Sequence, residues 1–336
     1  MIRRASVDNG TAVHRSCIRG ALIQAQFRLP GAVAQLVDDL GHGRVTEAIQ
    51  AALTADPQLT DMMMWGLAAG GIGPSSISAL YPDGHPVVTA RGTPPGPAAP
   101  PPRSIADLLE GTARTYATRV DGDVDVHILT GVDAAGRPTR KVIVDIPGTG
   151  DWNVAKFDDT DVTGLGTSTR AMSGQSTTYE QGVLTAMREA GVRSDDDVLL
   201  VGHSQGALVA VNAARDAVAS GQFNVTHVIS AGGPIGAIVG AVPRSVQVLA
   251  LENDGDLVPE VDGRLNPDRR NVTTATVHEN HHDVLANHDL RESYIPGASD
   301  VEASKDPSLL AYRAGLNGFL TADDVDSQRF GIRRAL

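Results

Sequence analysis

The chain holds one cysteine, Cys17, among 336 residues, so an intramolecular disulfide is excluded and the redox compartment stays open. A chain this long buries most of its apolar surface without disulfides or metals. Positive charge is also scarce. Lys and Arg total 28 against 40 Asp and Glu, a formal net charge of −12, and only Lys141, Lys156 and Lys305 are lysines. A polyanion is repelled on average by such a surface, which argues against a nucleic-acid partner. Long apolar runs are missing. Met1–Arg4 is basic, but no continuous apolar stretch follows before Arg15 and Arg19, so a signal peptide is not expected. The most apolar run, Met62–Ile72, is too short and too glycine-rich for a bilayer, so no transmembrane segment is expected. These absences suit a soluble protein, either cytoplasmic or exported by a route that uses no such peptide.

What is present is ordinary globular material, 41% hydrophobic and 20% charged. The length suits one large α/β domain plus extra material. Residues 1–91 read as an N-terminal helical segment or cap. Helical spacing occurs at Ala21–Leu36 and Val45–Leu53, and Met62–Trp65 begins a small apolar patch. This segment is expected to pack on the main domain; its alternative role is a module for a protein partner. Residues 92–103 (GTPPGPAAPPPR) form a linker in which six prolines remove backbone donors and hold the chain extended. Residues 104–336 form the main domain. Ser104 is the expected N-cap of its first helix, with Asp107 in the first turn.

From Val124 onward strands and helices alternate. Val124–Leu129, Lys141–Ile146, Asp197–Val201, Val225–Ser230, Val246–Leu251 and Val272–Val277 read as strands. Tyr179–Ala190, Gly206–Ala219 and Leu309–Leu320 read as helices. Such alternation predicts a mostly parallel sheet with helices on both faces and chemistry at the carboxyl ends of the strands.

The strongest motif is Gly202-His203-Ser204-Gln205-Gly206, a G-x-S-x-G between an apolar strand and an alanine-rich helix. That context is what a nucleophile elbow requires, because the turn is too tight for side chains at the two glycines. A serine hydroxyl needs a base, and in this chain order an acid precedes the histidine. The acidic loop after Val246–Leu251 offers Asp256 first, then Asp254 and Glu252. The region after Val272–Val277 offers His278, His281, His282 and His288. His288 is preferred because it lies far enough along for the loop to fold back over Ser204. The oxyanion hole needs two backbone N–H groups. Gln205 supplies one, and Thr149, in the glycine-containing turn Pro147–Asp151, is the candidate for the other. Trp152, in the long Asp151–Thr178 stretch, and His203, beside the nucleophile, are the expected substrate contacts. Phe157, Leu165 and Met172 would join Trp152 in an acyl-binding wall or lid, or pack against the sheet.

The GHSQG elbow, the N-D-x-D-x-V-P stretch around Asp256 and a late histidine followed by tyrosine resemble the lipase and esterase branch of the α/β hydrolases. They are most similar to the class 3 lipase-like group and related actinobacterial hydrolases. The resemblance spans roughly Val124 to Leu320. It implies the α/β-hydrolase fold and an esterase or lipase activity on a small-molecule or lipid ester. It also implies a triad of Ser204, Asp256 and His288, and no cofactor or metal.

One motif competes. His278-Glu279-Asn280-His281-His282 matches H-E-x-x-H, which on a helix aims two histidines at one zinc ion with the glutamate as base. Three features oppose it. Leu285 stands where the longer protease pattern has glycine, no methionine follows Met187, and the motif continues directly from a strand-like run. A third reading is a binding protein that keeps the hydrolase scaffold without turnover.

Overall fold

The computed structural model describes residues 83–117, 122–149, 160–281 and 283–336. Cys17, the expected helices at Ala21–Leu36 and Val45–Leu53, and the Met62–Trp65 patch lie outside these residues. The apolar run Asp197–Val201 explains the architecture best. Val198, Leu199, Leu200 and Val201 are all fully buried, as a central strand covered on both faces requires. Their side chains alternate. Val198 and Leu200 enter one core, and Leu199 and Val201 enter a second core on the opposite face.

This strand, β4 (Asp197–His203), lies within an eight-stranded sheet. The others are β1 (His85–Gly92), β2 (Asp123–Val132), β3 (Pro138–Ile146), β5 (Asn224–Ala231), β6 (Gln247–Asn253), β7 (Val272–Val277) and β8 (Asp324–Ala335). The order is β1-β8-β2-β3-β4-β5-β6-β7. Strands β3 to β7 run parallel, and β1, β8 and β2 form an antiparallel extension. The sheet is therefore a mixed one, mostly parallel, within an α/β fold.

Among the described residues seven α-helices surround it. They are α1 (Ile105–Tyr116), α2 (Leu165–Met172), α3 (Thr178–Glu189), α4 (Gln205–Ser220), α5 (Val284–His288), α6 (Ile295–Ala303) and α7 (Pro307–Leu320). Helices α2, α3 and α4 contribute to the first core through Leu165, Met172, Val183, Met187, Leu208 and Val211. Helices α1, α6 and α7 contribute to the second through Leu108, Leu109, Ala298, Leu309 and Leu316. Leu165 and Met172 thus take the sheet-packing option and not the acyl-wall one. The helix starts follow their capping chemistry. Ser104 Oγ accepts the Asp107 N–H at 3.0 Å, and Thr177 Oγ1 accepts the Glu180 N–H at 3.1 Å. Among the described residues no helix is long and apolar enough to cross a membrane.

Two strands depart from expectation. Strand β1 pairs along its length with β8, so residues 85–92 belong to the sheet and not to a separate N-terminal segment. The boundary expected at residue 91 falls inside this strand. Strand β8 shows little apolar alternation to announce it: Phe330 and Ile332 enter the first core, but the opposite face holds an ion pair. Arg329, 4% exposed, bonds both oxygens of Asp125 on β2, with Nε to Oδ1 at 2.6 Å and one terminal nitrogen to Oδ2 at 2.5 Å. Thr115 of α1 adds a third donor to Asp125 Oδ2 at 2.9 Å. A buried bidentate pair of this kind substitutes for apolar contact where both charges are hydrogen-bonded.

Helix α3 buries Glu180, whose Oε2 has no hydrogen-bond partner. Burial, together with its hydrogen bond to Asp216 and that residue's charge, raises its carboxyl from 4.5 to about 8. The folded protein therefore binds a proton here that the unfolded chain releases near 4.5. The associated stability is fully present below that value and is lost as pH rises toward about 8. Glu180→Gln, which stays neutral, should flatten this slope. Melting temperatures at about pH 5 and about pH 9 should differ less in the variant than in the wild type. Equal differences would show that Glu180 does not titrate as its surroundings imply.

Candidate functional site

The site grows from the junction of β4 and α4. Ser204 joins them with φ 56° and ψ −124°, and among the described residues it is the only non-glycine with positive φ. Such a torsion persists only where the surroundings enforce it. They do so through close backbone approach. A Cβ on Gly206 would lie 2.0 Å from the carbonyl oxygen of Ile146 at the end of β3, and one on Gly202 would lie 2.4 Å from Gly206 O. Both glycines are thus steric requirements. The Ser204 N–H donates to Ala231 O at 2.9 Å, which docks the turn onto the end of β5.

The acid comes from the loop after β6. Asp256 is buried, and its carboxylate is fully used. Oδ2 accepts from His288 Nδ1 at 2.7 Å and from the Tyr294 hydroxyl at 2.5 Å, and Oδ1 accepts from Val258 N–H at 2.9 Å. The other acids lie in different settings. Asp254 is exposed and pairs with His278 Nδ1 at 2.6 Å. Glu252 bonds Asn266 at 2.6 Å, and burial with the nearby Asp262 and Glu260 raises its carboxyl to about 8.

The base comes from the last residue of α5. Asp283 caps this short helix by accepting the Leu285 and Ala286 N–H groups. His288 is 7% exposed and packs its ring 4.7 Å from the ring of His203. A Cβ on Gly232, the residue after Ala231, would lie 3.1 Å from His288 Cε1. The imidazole therefore sits at the ends of β4 and β5, beside the elbow. Ser204 Oγ and His288 Nε2 are both buried, and neither has a hydrogen-bond partner. The bond between them is not made in this structure; catalytic contacts of this kind commonly tighten only when substrate is bound.

The two candidate oxyanion donors stand on opposite sides of the elbow. Gln205 is the first residue of α4, so its N–H has no intrahelical acceptor. Its side chain turns the other way, donating to Gly164 O at 3.0 Å and to Ser168 Oγ at 2.5 Å. A Cβ on Gly148 would lie 2.8 Å from Ser204 Cβ, so the turn after β3 borders the nucleophile directly. The Gly148 N–H donates to the Tyr116 hydroxyl, which leaves Thr149 as the next donor along this turn. The buried Thr149 Oγ1 has no partner.

His203, one of the two expected substrate contacts, has both of its ring nitrogens occupied by protein groups. It is 6% exposed, with Nδ1 2.9 Å from Tyr116 Oη and Nε2 2.8 Å from His288 O. Burial, and then the neighbouring His288, hold its pKa well below the ordinary imidazole value. Trp152, Phe157 and His282 lie outside the described residues. Strand β7 ends at Val277, and residues 278–281 form a loop, so His278 and Glu279 do not share the helix face that the zinc reading needs. His281 Nε2 bonds Glu292 O at 3.0 Å. Among the described residues no group of three His, Cys, Asp or Glu side chains is arranged to hold a metal.

The roles of three residues escaped sequence reasoning, although the tyrosine after the late histidine and the asparagine opening the N-D-x-D stretch were in view. Tyr294 is fully buried, and burial together with the Asp256 charge raises its pKa well above 10, so it remains a donor. Asn253 donates to Glu279 O at 2.7 Å and Asn287 O at 2.9 Å, and it accepts Glu279 N–H at 3.0 Å. Asn287 reciprocates, donating to Gly255 O at 3.0 Å and accepting His281 N–H at 2.9 Å. The two amides thereby fasten the acid loop to the base loop. The only sequence signal was position, an asparagine beside each candidate acid and base.

No protein-family model and no curated protein matches this chain.

The elbow yields a direct test. Gly206→Ala forces a methyl group onto the Ile146 carbonyl and should destabilise the fold by about 1–3 kcal/mol or more. Thermal unfolding measures this, and an unchanged melting temperature would show that the turn has room to spare.

Proposed function

We propose that this chain is a serine hydrolase of the α/β-hydrolase fold that cleaves carboxylic esters through an acyl-enzyme. One observation carries the reading. A strained serine at a strand–helix elbow is buried beside a histidine whose Nδ1 is fixed by a buried aspartate, and the serine Oγ and histidine Nε2 are left open. The mixed, mostly parallel sheet and the strand-end location of these groups support the same fold assignment.

The chemistry follows from the atoms. Asp256 holds the Nδ1–H tautomer of His288, so Nε2 carries the lone pair. When an ester occupies the site, Ser204 turns its hydroxyl toward Nε2, which takes the proton as Oγ attacks the carbonyl carbon. The tetrahedral oxyanion receives N–H groups from Gln205 and Thr149, each worth about 2.7–4 kcal/mol in a dry site. Its collapse breaks the bond to the alcohol, which leaves with the proton from His288. Water then adds to the acyl carbon while His288 takes its proton. Release of the carboxylic acid returns that proton to Ser204. The imidazolium formed at each stage faces the Asp256 carboxylate, whose second donor, Tyr294, keeps the acceptor oriented. The substrate class is a small-molecule or lipid ester, handled without a metal or cofactor.

A fluorophosphonate probe tests the reading. Intact-mass analysis should find one adduct on the wild type and none on Ser204→Ala, with hydrolysis of a short acyl ester falling about 10⁴-fold or more in the variant. An unlabelled wild type, or a labelled Ser204→Ala, would defeat it. Tyr294→Phe should retain the fold and lower kcat/KM about 10-fold or more, the scale of one hydrogen bond to a charged group. Unchanged turnover would remove Tyr294 from the catalytic account.

A further inference from the structure

The oxyanion turn and the base loop approach Ser204 from different elements, Gly148 and Thr149 after β3 and His288 after β7. A hydrogen-bonded chain through the second core connects them. The Gly148 N–H donates to Tyr116 Oη at the end of α1. Tyr116 Oη lies 2.9 Å from His203 Nδ1, and His203 Nε2 lies 2.8 Å from the carbonyl oxygen of His288.

The ends of this chain and a neutral His203 ring set the direction of its protons. A backbone N–H can only donate and a backbone carbonyl can only accept. Tyr116 Oη therefore accepts from Gly148, and His203 Nε2, facing a carbonyl, is the donor of its ring, so in a neutral ring Nδ1 accepts from Tyr116 Oη. A single tautomer of one neutral imidazole satisfies all four groups. Burial, and then the neighbouring His288, keep the ring in this neutral form. The ring is also enclosed by aromatic neighbours. Tyr116 lies edge-on with centroids 5.6 Å apart, Tyr294 lies edge-on at 5.9 Å, and His288 is tilted at 4.7 Å.

We propose that His203 is a positioning residue that, relayed by Tyr116, ties the oxyanion turn to the backbone of the catalytic base and so sets both against Ser204. The inference rests on the hydrolase reading for its kinetic consequence, but its geometry does not. Because His203 immediately precedes the nucleophile, the relay references both partners to the elbow itself. Backbone bonds alone leave the Gly148 and His288 groups to their separate loops. A shift of a fraction of an ångström in either group misplaces a donor or the base, and errors of about 1 Å cost about 10²-fold in rate.

Two measurements test the relay. The first needs no turnover. In protein labelled with ¹⁵N-histidine, the His203 ring should be neutral near pH 7, with its proton on Nε2 and Nδ1 as acceptor. A proton on Nδ1 would overturn the proposal even if the enzyme is active. The second is kinetic. Tyr116→Phe is nearly isosteric and should lower kcat for a short ester about 10-fold or more with little change in KM. His203→Leu should do the same. His203→Gln, whose amide can donate to the His288 carbonyl and accept from Tyr116, should recover part of the loss. The double variant Tyr116→Phe with His203→Leu should be no slower than the worse single variant, because both cut one chain. Full activity in Tyr116→Phe, or no recovery by glutamine in a folded protein, would overturn the relay. Fluorophosphonate labelling of the wild type separates the two ideas. If the wild type is unlabelled the hydrolase reading fails, and if it is labelled while these variants stay fast the relay alone fails.

Discussion

The torsion at Ser204 organises this molecule. A serine held at φ 56° is unfavourable in isolation, and three contacts hold it there. Gly206 lies against the end of β3, Gly202 lies against the first turn of α4, and the Ser204 N–H is bonded to the end of β5. Each contact comes from a neighbouring strand of the parallel sheet or the helix that follows it. The sheet therefore does more than support the site, because its strand spacing and the start of α4 determine where the serine hydroxyl points. The strain at one residue is sustained by the packing of the two cores on either face.

The polar groups around this turn are partitioned with little redundancy. The Asp256 carboxylate is saturated by His288, Tyr294 and Val258, and the His203 ring is saturated by Tyr116 and the His288 carbonyl. Asn253 and Asn287 close the loops against each other. In contrast, Ser204 Oγ, His288 Nε2 and Thr149 Oγ1 are buried without partners. Buried polar atoms are normally satisfied, so the open Ser204 Oγ and His288 Nε2 beside a saturated Asp256 fit the proposal that an ester's atoms belong there.

Much of this was legible in the sequence, and for identifiable reasons. The strands β2 to β7 are short apolar runs, and helices α1, α3 and α4 begin at side-chain caps or at a glycine-flanked turn, so local chemistry announces them. Ser204 stands out by its G-x-S-x-G motif, Asp256 and His288 are preferred by their places after the strands that follow it, and the structure bonds these two to each other beside the elbow. What stayed hidden depends on distant partners. The Arg329–Asp125 pair lets a charged segment form β8, and β1 is a strand because β8 is there to receive it. Tyr294 and the two asparagines gain meaning only through the acid loop they touch. His203 shows the same limit from the other side. Its place beside the nucleophile suggested a substrate contact, but only the fold reveals that Tyr116 and the His288 carbonyl occupy both nitrogens.

The position of β8 between β1 and β2 also has a consequence for how the chain is made. His85 aligns with Ala335, and Asp123 aligns with Gly331, so the earliest and latest described strands are neighbours. A ribosome delivers β1 long before its pairing edge exists. The parallel strands β3 to β7 can assemble with their helices as they emerge, while β2 keeps an open edge and β1 has no sheet to join. Contacts of such long sequence separation form late and slowly, and open strand edges invite pairing with other chains. The last of the described strands is thus the one that ends this exposure, and a chain cut just before Asp324 would leave β1 and β2 with unpaired edges that β8 otherwise covers.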